Sequence, residues 1–132
     1  MSVDKLTISQ GHKGPEKLQI NKSKKIITGE IKAFNIKDGS KIVIYVPSLN
    51  ISGYGSSFEQ AIDMLKEIID DYFRELVKLK PENISIELKK YGWEKTIFHK
   101  RFEQKVFIDK DGVLKNFELP EDTKIEETML SF

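Results

Sequence analysis

Residues 41–77, KIVIYVPSLNISGYGSSFEQAIDMLKEIIDDYFRELV, decide the fold of this chain. The apolar run at 41–46 predicts a strand, and Pro47 ends it because proline has no N–H to donate to a ladder. Residues 49–52 predict a short third strand, closed by a glycine corner at Gly53 and Gly55. A long amphipathic helix follows, so the stretch predicts an α+β core.

The helix is predicted to begin at Ser56 or Ser57. Either serine completes a capping box, Ser56 with Glu59 or Ser57 with Gln60, which satisfies free N–H groups of the first turn. Apolar residues then recur at helical spacing as far as Leu76, with charged residues on the opposite side. We expect residues 57–77 to lie flat across the sheet.

The segments before residue 41 predict one strand and a loosely held arm. Residues 26–36 are rich in β-branched side chains, which favours a strand. The Asp38-Gly39 pair that follows predicts a hairpin, because glycine accepts the positive φ of the turn. Residues 1–24 mix glycine, proline and lysine and predict a partly ordered N-terminal arm, so a single domain is expected over 25–132.

The segments after the long helix are less clear. Residues 82–91 fit both a strand and a helix, but Pro81 before them and Gly92 after them favour a helix. Residues 105–119 predict a β-hairpin around Asp111-Gly112, and residues 124–132 predict an edge strand. The predicted fold is α+β: an antiparallel β-meander packed by one long helix, with a short second helix and a C-terminal β-hairpin extension.

The composition says more about the class of protein than about its function. With 132 residues the chain is expected to bury one core without help from metal or disulfides. It has no cysteine, which fits a reducing compartment, and no apolar run long enough to cross a bilayer. No secretory signal is expected at 1–5, so the prediction is a cytoplasmic protein with no membrane contact. A net charge of +1 gives no global attraction to nucleic acid.

The order of strand, Pro-x-Leu, glycine corner and serine-capped helix resembles the HicB-like antitoxin family. The family's usual Pro-Gly after the leucine is Asn50-Ile51 here, and Ser56 stands for its aspartate. Gly92 and Trp93 resemble the Leu-Gly-Trp ending of some short members. The positions predicted to form the structural motif are Pro47, Leu49, Gly53, Gly55, Ser57, Ala61, Gly92 and Trp93.

The resemblance implies a non-catalytic protein that forms homo-oligomers and neutralises a HicA-like toxin by direct contact. A short basic reading frame beside this one would support that role. Many family members also carry a DNA-binding tail, but residues 94–132 show no such helical module, which leaves DNA autoregulation unsupported by the resemblance.

Basic residues alternate with aromatic ones after Trp93. This interleaving is typical of a nucleic-acid surface, and it fits an acidic protein partner equally well. The aromatic residues at strand spacing also fit a core whose wet face carries the lysines. The partner-binding residues predicted here, beside the exposed rim of the long helix, are Lys95, Phe98, Lys100, Arg101 and Lys105.

No catalytic residue, metal site or cofactor is predicted. His12 and His99 lie far apart in the sequence, and spacing alone does not bring them together. Four acids of the long helix recur near one turn apart, which fits a cation site or a solvated face; their interleaving with Lys66 and Arg74 favours the solvated face. The acids are Asp63, Glu67, Asp70 and Asp71. An enzyme therefore ranks third, after a protein-binding and a nucleic-acid-binding module.

Overall fold

A computed structural model describes residues 6–9, 15–97, 101–106, 108–120 and 122–132. It confirms the predicted α+β class, with an antiparallel sheet and a long helix packed on it. In the described residues the strands are β1 Thr7–Ser9, β2 Lys17–Asn21, β3 Ile26–Asp38, β4 Lys41–Val46, β5 Ile51–Gly55, β6 Trp93–Lys95, β7 Phe102–Gln104 and β8 Ile125–Ser131. The helices are α1 Phe58–Leu76, α2 Pro81–Lys89 and α3 Lys110–Asn116.

The long strand β3 organises the sheet. Its residues 30–36 pair with β8 along one edge, and β8 in turn pairs with β1. Along its other edge, β3 pairs first with β2 through residues 26–30 and then with β4 through residues 34–38. The sheet therefore forks at β3: one branch continues from β2 to β7 and β6, and the other continues from β4 to β5.

The predicted meander is the second branch of this fork. Strands β3, β4 and β5 follow one another antiparallel, and Gly39 takes the positive φ of +60° that the Asp38-Gly39 hairpin requires. The side chains of β3 alternate as expected. Ile27, Ile31 and Ala33 enter the main core, and Phe34 and Ile36 enter a smaller core on the other face.

Helix α1 covers β4 and β5 at very short range. A Cβ on Gly53 would lie 2.4 Å from the Ala61 carbonyl oxygen and 2.6 Å from the Leu65 nitrogen. The helix is capped by Ser57, whose hydroxyl accepts the Gln60 N–H at 3.2 Å. This confirms the prediction of a serine cap and a helix lying on the sheet. The buried face of α1 consists of Ala61, Ile62, Leu65, Ile69, Phe73 and Leu76.

The ambiguous segment at 82–91 is a helix, as its flanking residues favour. Pro81 occupies its first turn, and Gly92 follows its end with a φ of +96°. Ile84 and Leu88 are its buried residues, and they join the main core. Apolar residues alternate in this segment as they do in a strand, but the two buried ones are four residues apart, which is the spacing of one face of a helix.

Three details of the predicted strands are wrong in the described residues: where the third strand begins, what Gly53 and Gly55 form, and where the last strand lies in the sheet. The third strand begins at Ile51 instead of residue 49, because Asn50 takes a positive φ of 52° in a turn after Pro47. Gly53 and Gly55 lie within that strand instead of forming a corner. Strand β8 is not an edge strand, since it lies between β3 and β1.

The predicted arm at 1–24 also differs from the structure. Residues 17–21 form β2, which lies between β3 and β7, and Leu18 is fully buried in the main core. Residues 1–5 and 10–14 lie outside the described residues. This segment has few apolar residues, so its sequence does not predict a strand. Its burial comes from pairing with β3 and with the distant strand β7.

The predicted hairpin around Asp111-Gly112 is wrong, and the segment forms α3 instead. The Asp109 carboxylate accepts the Gly112 N–H at 2.9 Å and so caps a helix that contains the Asp-Gly pair. Val113 of this helix is buried against Phe34 and Ile36. Earlier in this part of the chain, β6 pairs antiparallel with β7.

Candidate partner-binding surfaces

The predicted basic and aromatic patch is divided between two faces of the β6–β7 hairpin. Lys95 pairs in register with Phe102, so both side chains share one face. Arg101 and Lys105 lie on the other face, where both bind Glu103, at 2.9 and 3.5 Å. Phe98 and Lys100 lie outside the described residues. The structure therefore does not bring the described members of the patch together.

The Glu103 carboxylate neutralises much of the basic charge of that outer face. The hydrogen bond from Arg101, helped by Lys105, holds the pKa of Glu103 below its usual value, although desolvation opposes the shift. The aromatic partners are not available either: Trp93 is 1% exposed and Phe102 is 5% exposed. Trp93 and Phe102 are therefore core residues, as the alternative interpretation of the pattern predicts.

The predicted motif residues serve the packing of the fold. The Trp93 indole N–H donates to the Ser48 carbonyl at 2.7 Å and ties the turn after β4 to the start of β6. Leu49 is buried in the main core. A Cβ on Gly92 would lie 2.3 Å from the Gln104 side-chain oxygen. These residues position the hairpin and α1, and none of them forms a reactive centre.

A lysine-rich groove, not predicted from the sequence, forms where two distant turns meet. The Lys22 ammonium, in the turn 22–25, donates to the Val77 carbonyl at 3.2 Å and to the Leu79 carbonyl, which lie just after α1. A groove of about 180 Å³ opens beside this contact. Its lining residues are Ile20, Lys22, Pro81, Ile84, Lys95 and Phe102.

The charge around this groove is strongly positive. The turn 22–25 contains three lysines and the loop 77–80 contains two, and neither segment contains an acid. Lys24, Lys25, Lys80 and Lys95 are exposed and make no ion pair with a described residue, whereas Lys78 is paired with Glu75. The lysine repeats were visible in the sequence, but only the Lys22 contact shows that the two turns adjoin.

The opposite charge lies along the first half of α1. Glu59, Asp63 and Glu67 are exposed and follow one another at intervals of four residues, which places them on one stripe of the helix. None of the three makes an ion pair with a described residue. Farther along, Asp71 is paired with Arg74 at 2.9 Å. The predicted exposed rim of the helix is therefore an acidic stripe.

A half-buried carboxylate, Glu16, occupies the fork in the sheet. Lys32 lies on β3 between the segment that pairs with β2 and the segment that pairs with β4, so neither strand supplies an acceptor for its N–H. The Glu16 carboxylate accepts this N–H at 2.9 Å. Burial raises the pKa of Glu16, while the amide and ammonium of Lys32 oppose that rise. The cavity beside it holds only about 10 Å³, too little for a substrate.

A third surface lies on the face of the sheet opposite α1. The rings of Tyr45 and Phe117 meet edge to face with centroids 4.9 Å apart, and a groove of about 310 Å³ opens between residues 117–119, just after α3, and the outer side of β4. Ile36, Val43 and Leu119 line its apolar wall.

Two arrangements are absent from the part of the chain that the structure describes. There, no group of three histidine, aspartate or glutamate side chains is arranged to hold a metal ion. His12 and His99 lie outside that part. None of the described helices is both long and apolar enough to span a membrane.

Comparison of the chain with protein-family models, with curated proteins and with solved structures gave no match. The HicB-like resemblance therefore stays a prediction that rests on the motif at 45–61 and on Gly92 and Trp93.

Proposed function

We propose that this chain is a non-catalytic, HicB-like binding protein of the antitoxin type, which contacts a basic toxin-like protein along the acidic stripe of α1. The observation that carries the proposal is the row Glu59, Asp63 and Glu67 on an exposed helix face, without ion pairs to described residues. The HicA-like partner that the resemblance implies is basic, so its charge complements this row.

Electrostatics explains why the stripe favours a basic partner. Like charges at intervals of four residues destabilise a helix by about 0.2–0.5 kcal/mol per pair. The isolated protein carries this cost at two successive pairs, Glu59 with Asp63 and Asp63 with Glu67. A basic protein that covered the stripe would remove the repulsion, and attraction between the two surfaces would speed their encounter.

The packing of α1 makes the stripe a rigid surface. Gly53 and Gly55 let the helix backbone approach β5, and the Ser57 cap fixes its first turn. A partner that binds a preformed helix face does not have to order it first, which keeps the entropic cost of association low. The stripe is therefore suited to direct contact with a folded protein.

Oligomerisation is part of the proposal, and the sheet edges are suited to it. Among the described strands, β5 pairs only with β4, and β6 pairs only with β7. Exposed strand edges present unpaired backbone groups that a second copy can extend. Light scattering on the purified protein should give at least a dimer, and a strict monomer would contradict this part of the proposal.

A nucleic-acid-binding module is the second candidate, favoured by the lysine-rich turns. Four exposed lysines near one groove are able to neutralise phosphates, and such binding must weaken steeply as salt rises. Against it, Trp93 and Phe102 are buried and offer no face on which a base can stack.

Coexpression with the product of the adjacent reading frame tests the proposed function. If that product arrests growth when expressed alone, the present chain should relieve the arrest and copurify with it. A variant carrying Asp63→Lys and Glu67→Lys should lose both effects, because it reverses the charge of the stripe.

A matched control reverses two exposed carboxylates away from α1, through Asp122→Lys and Glu126→Lys. This variant should still relieve the arrest. A harmless adjacent product, or equal protection by both double variants, would overturn the proposed role of the stripe.

A further inference from the structure

We infer that the lysine-rich groove is a second binding site, separate from the acidic stripe, which takes an acidic peptide segment carrying one large apolar side chain. The site goes beyond the proposed toxin contact, because a basic protein would be repelled by the charges that surround it. Its occupant follows from three properties of the groove: its volume, the nature of its wall, and the sign of its rim.

The volume of the groove matches a side chain better than a whole ligand. Small-molecule sites usually enclose at least about 300 Å³. The groove here encloses about 180 Å³ and is open to solvent. One leucine-sized or phenylalanine-sized group therefore fits it as an anchor, with the rest of the peptide lying outside on the lysine-rich turns.

The wall of the groove is mostly aliphatic and is held by the fold. Ile84 is 3% exposed and belongs to the main core, whereas Ile20 and Pro81 are more accessible. The Lys22 ammonium anchors the turn 22–25 to the end of α1, so the two sides of the groove keep a fixed separation. A preformed apolar concavity of this kind binds a side chain without first rearranging.

The rim supplies the charge that selects an acidic segment. Lys24, Lys25, Lys80 and Lys95 surround the apolar wall or lie in the turns that meet beside it, and all four are exposed. Rim charges act on encounter and specificity more than on the final affinity. We therefore expect carboxylates on both sides of the anchor and a marked dependence of binding on salt.

The same groove is less suited to RNA or to a membrane. Its aromatic member, Phe102, is 5% exposed and presents no face for base stacking. A membrane contact would favour apolar side chains that project outward, whereas Ile20, Ile84 and Phe102 line a concave wall. A peptide with an inserted side chain uses both the cavity and the lysines.

Fluorescence anisotropy with labelled probes tests the inference on the full chain. The first probe is a short peptide of aspartate and glutamate with one central leucine, and the second has serine in place of the leucine. The third is a single-stranded uridine oligonucleotide of similar charge. The leucine peptide should bind about tenfold or more tightly than the serine peptide, since burial of the leucine favours binding.

Two substitutions locate the site. Lys95→Glu, at an exposed position, should weaken the leucine peptide about tenfold, whereas Lys115→Glu on α3 makes the same charge change elsewhere and should leave it unaffected. Ile20→Ala should weaken the leucine peptide but not the serine peptide. Thermal unfolding of each variant shows whether the fold is retained, and Lys95→Glu keeps the test valid if Ile20→Ala unfolds the protein.

Equal affinity for the leucine and serine peptides would overturn the inference, because it would mean attraction by charge alone. Preference for the oligonucleotide would overturn it in favour of the nucleic-acid candidate. Asp63→Lys should not affect peptide binding, so a failed toxin contact and a failed peptide site give different results.

Discussion

The two ends of α1 carry opposite charges and acquire them in different ways. The acidic stripe, defined by Glu59, Asp63 and Glu67, is a product of helical periodicity within one stretch of sequence. The lysine-rich groove is a product of tertiary contact, because the turn 22–25 reaches the end of α1 only through the pairing of β2 with β3. Of the three acids only Glu59 lies in the first turn of α1, where a negative charge stabilises the helix N-terminus.

The contrast between the acidic stripe and the lysine-rich groove depends first on the close packing of α1 on the sheet. Gly53→Val should lower the free energy of unfolding by about 3 kcal/mol, because the new side chain would collide with the backbone at Ala61 and Leu65. Urea unfolding measures the change, and both surfaces should lose binding together.

The control for Gly53 is Gly39→Ala. A Cβ at Gly39 meets nothing within 4 Å, but the φ of +60° costs about 1 kcal/mol. It should therefore cost less stability and spare both surfaces. A Gly53→Val variant as stable as the parent would mean that α1 does not approach β5 as described.

The next largest effect is expected at the contact that builds the groove. Lys22→Met removes the hydrogen bonds from the ammonium to the Val77 and Leu79 carbonyls and should cost about 1.5 kcal/mol. Lys24→Met removes the same charge from an exposed side chain of the same turn and should change stability by less than about 0.5 kcal/mol. Chemical denaturation compares the two, and equal losses would show that Lys22 has no special role.

The dependence of stability on pH tests the role of Glu16 at the fork in the sheet, which is distinct from both charged surfaces. Because burial raises the pKa of Glu16 above 4.5, its stabilising contribution is complete below pH 4.5 and is lost as the pH rises through the raised pKa. Glu16→Gln keeps an acceptor for the Lys32 N–H without the charge. The glutamine variant should gain stability relative to the parent as the pH rises toward neutrality; a constant difference would contradict this.

The smallest effect is expected on the acidic stripe itself. Asp63→Lys converts two repulsive pairs, with Glu59 and with Glu67, into attractive ones and should raise stability by about 1 kcal/mol at low salt. The gain should shrink in high salt as the charges are screened. Thermal unfolding at the two salt concentrations measures it, and a loss of stability would show that Asp63 has a favourable partner in the folded protein.

The parts of the fold that local signals specify were predictable. Strand β4 at 41–46, the Asp38-Gly39 turn, the Ser57 cap and the helix after Pro81 each follow from the chemistry of neighbouring residues. Two of the three acids of the stripe, Asp63 and Glu67, were recognised in the same way, from residues four positions apart, whereas Glu59 was predicted only as a capping partner.

Features that depend on distant partners were not predictable. Asp111-Gly112 forms a helix because Asp109 caps it and Val113 packs against β3, and the local pair alone favoured a hairpin. Residues 17–21 became a strand through pairing on both edges. Lys95 was a predicted partner-binding residue, but its neighbours in the groove, Lys22 and Pro81, come from other parts of the chain.

The central claim is that α1 separates two independent binding surfaces of opposite charge. The most direct test is sedimentation of the protein with the adjacent-frame product and the leucine-bearing acidic peptide, singly and together. Two independent surfaces predict a complex that contains all three components, with neither affinity reduced by the other partner. Displacement of one partner by the other would contradict the account.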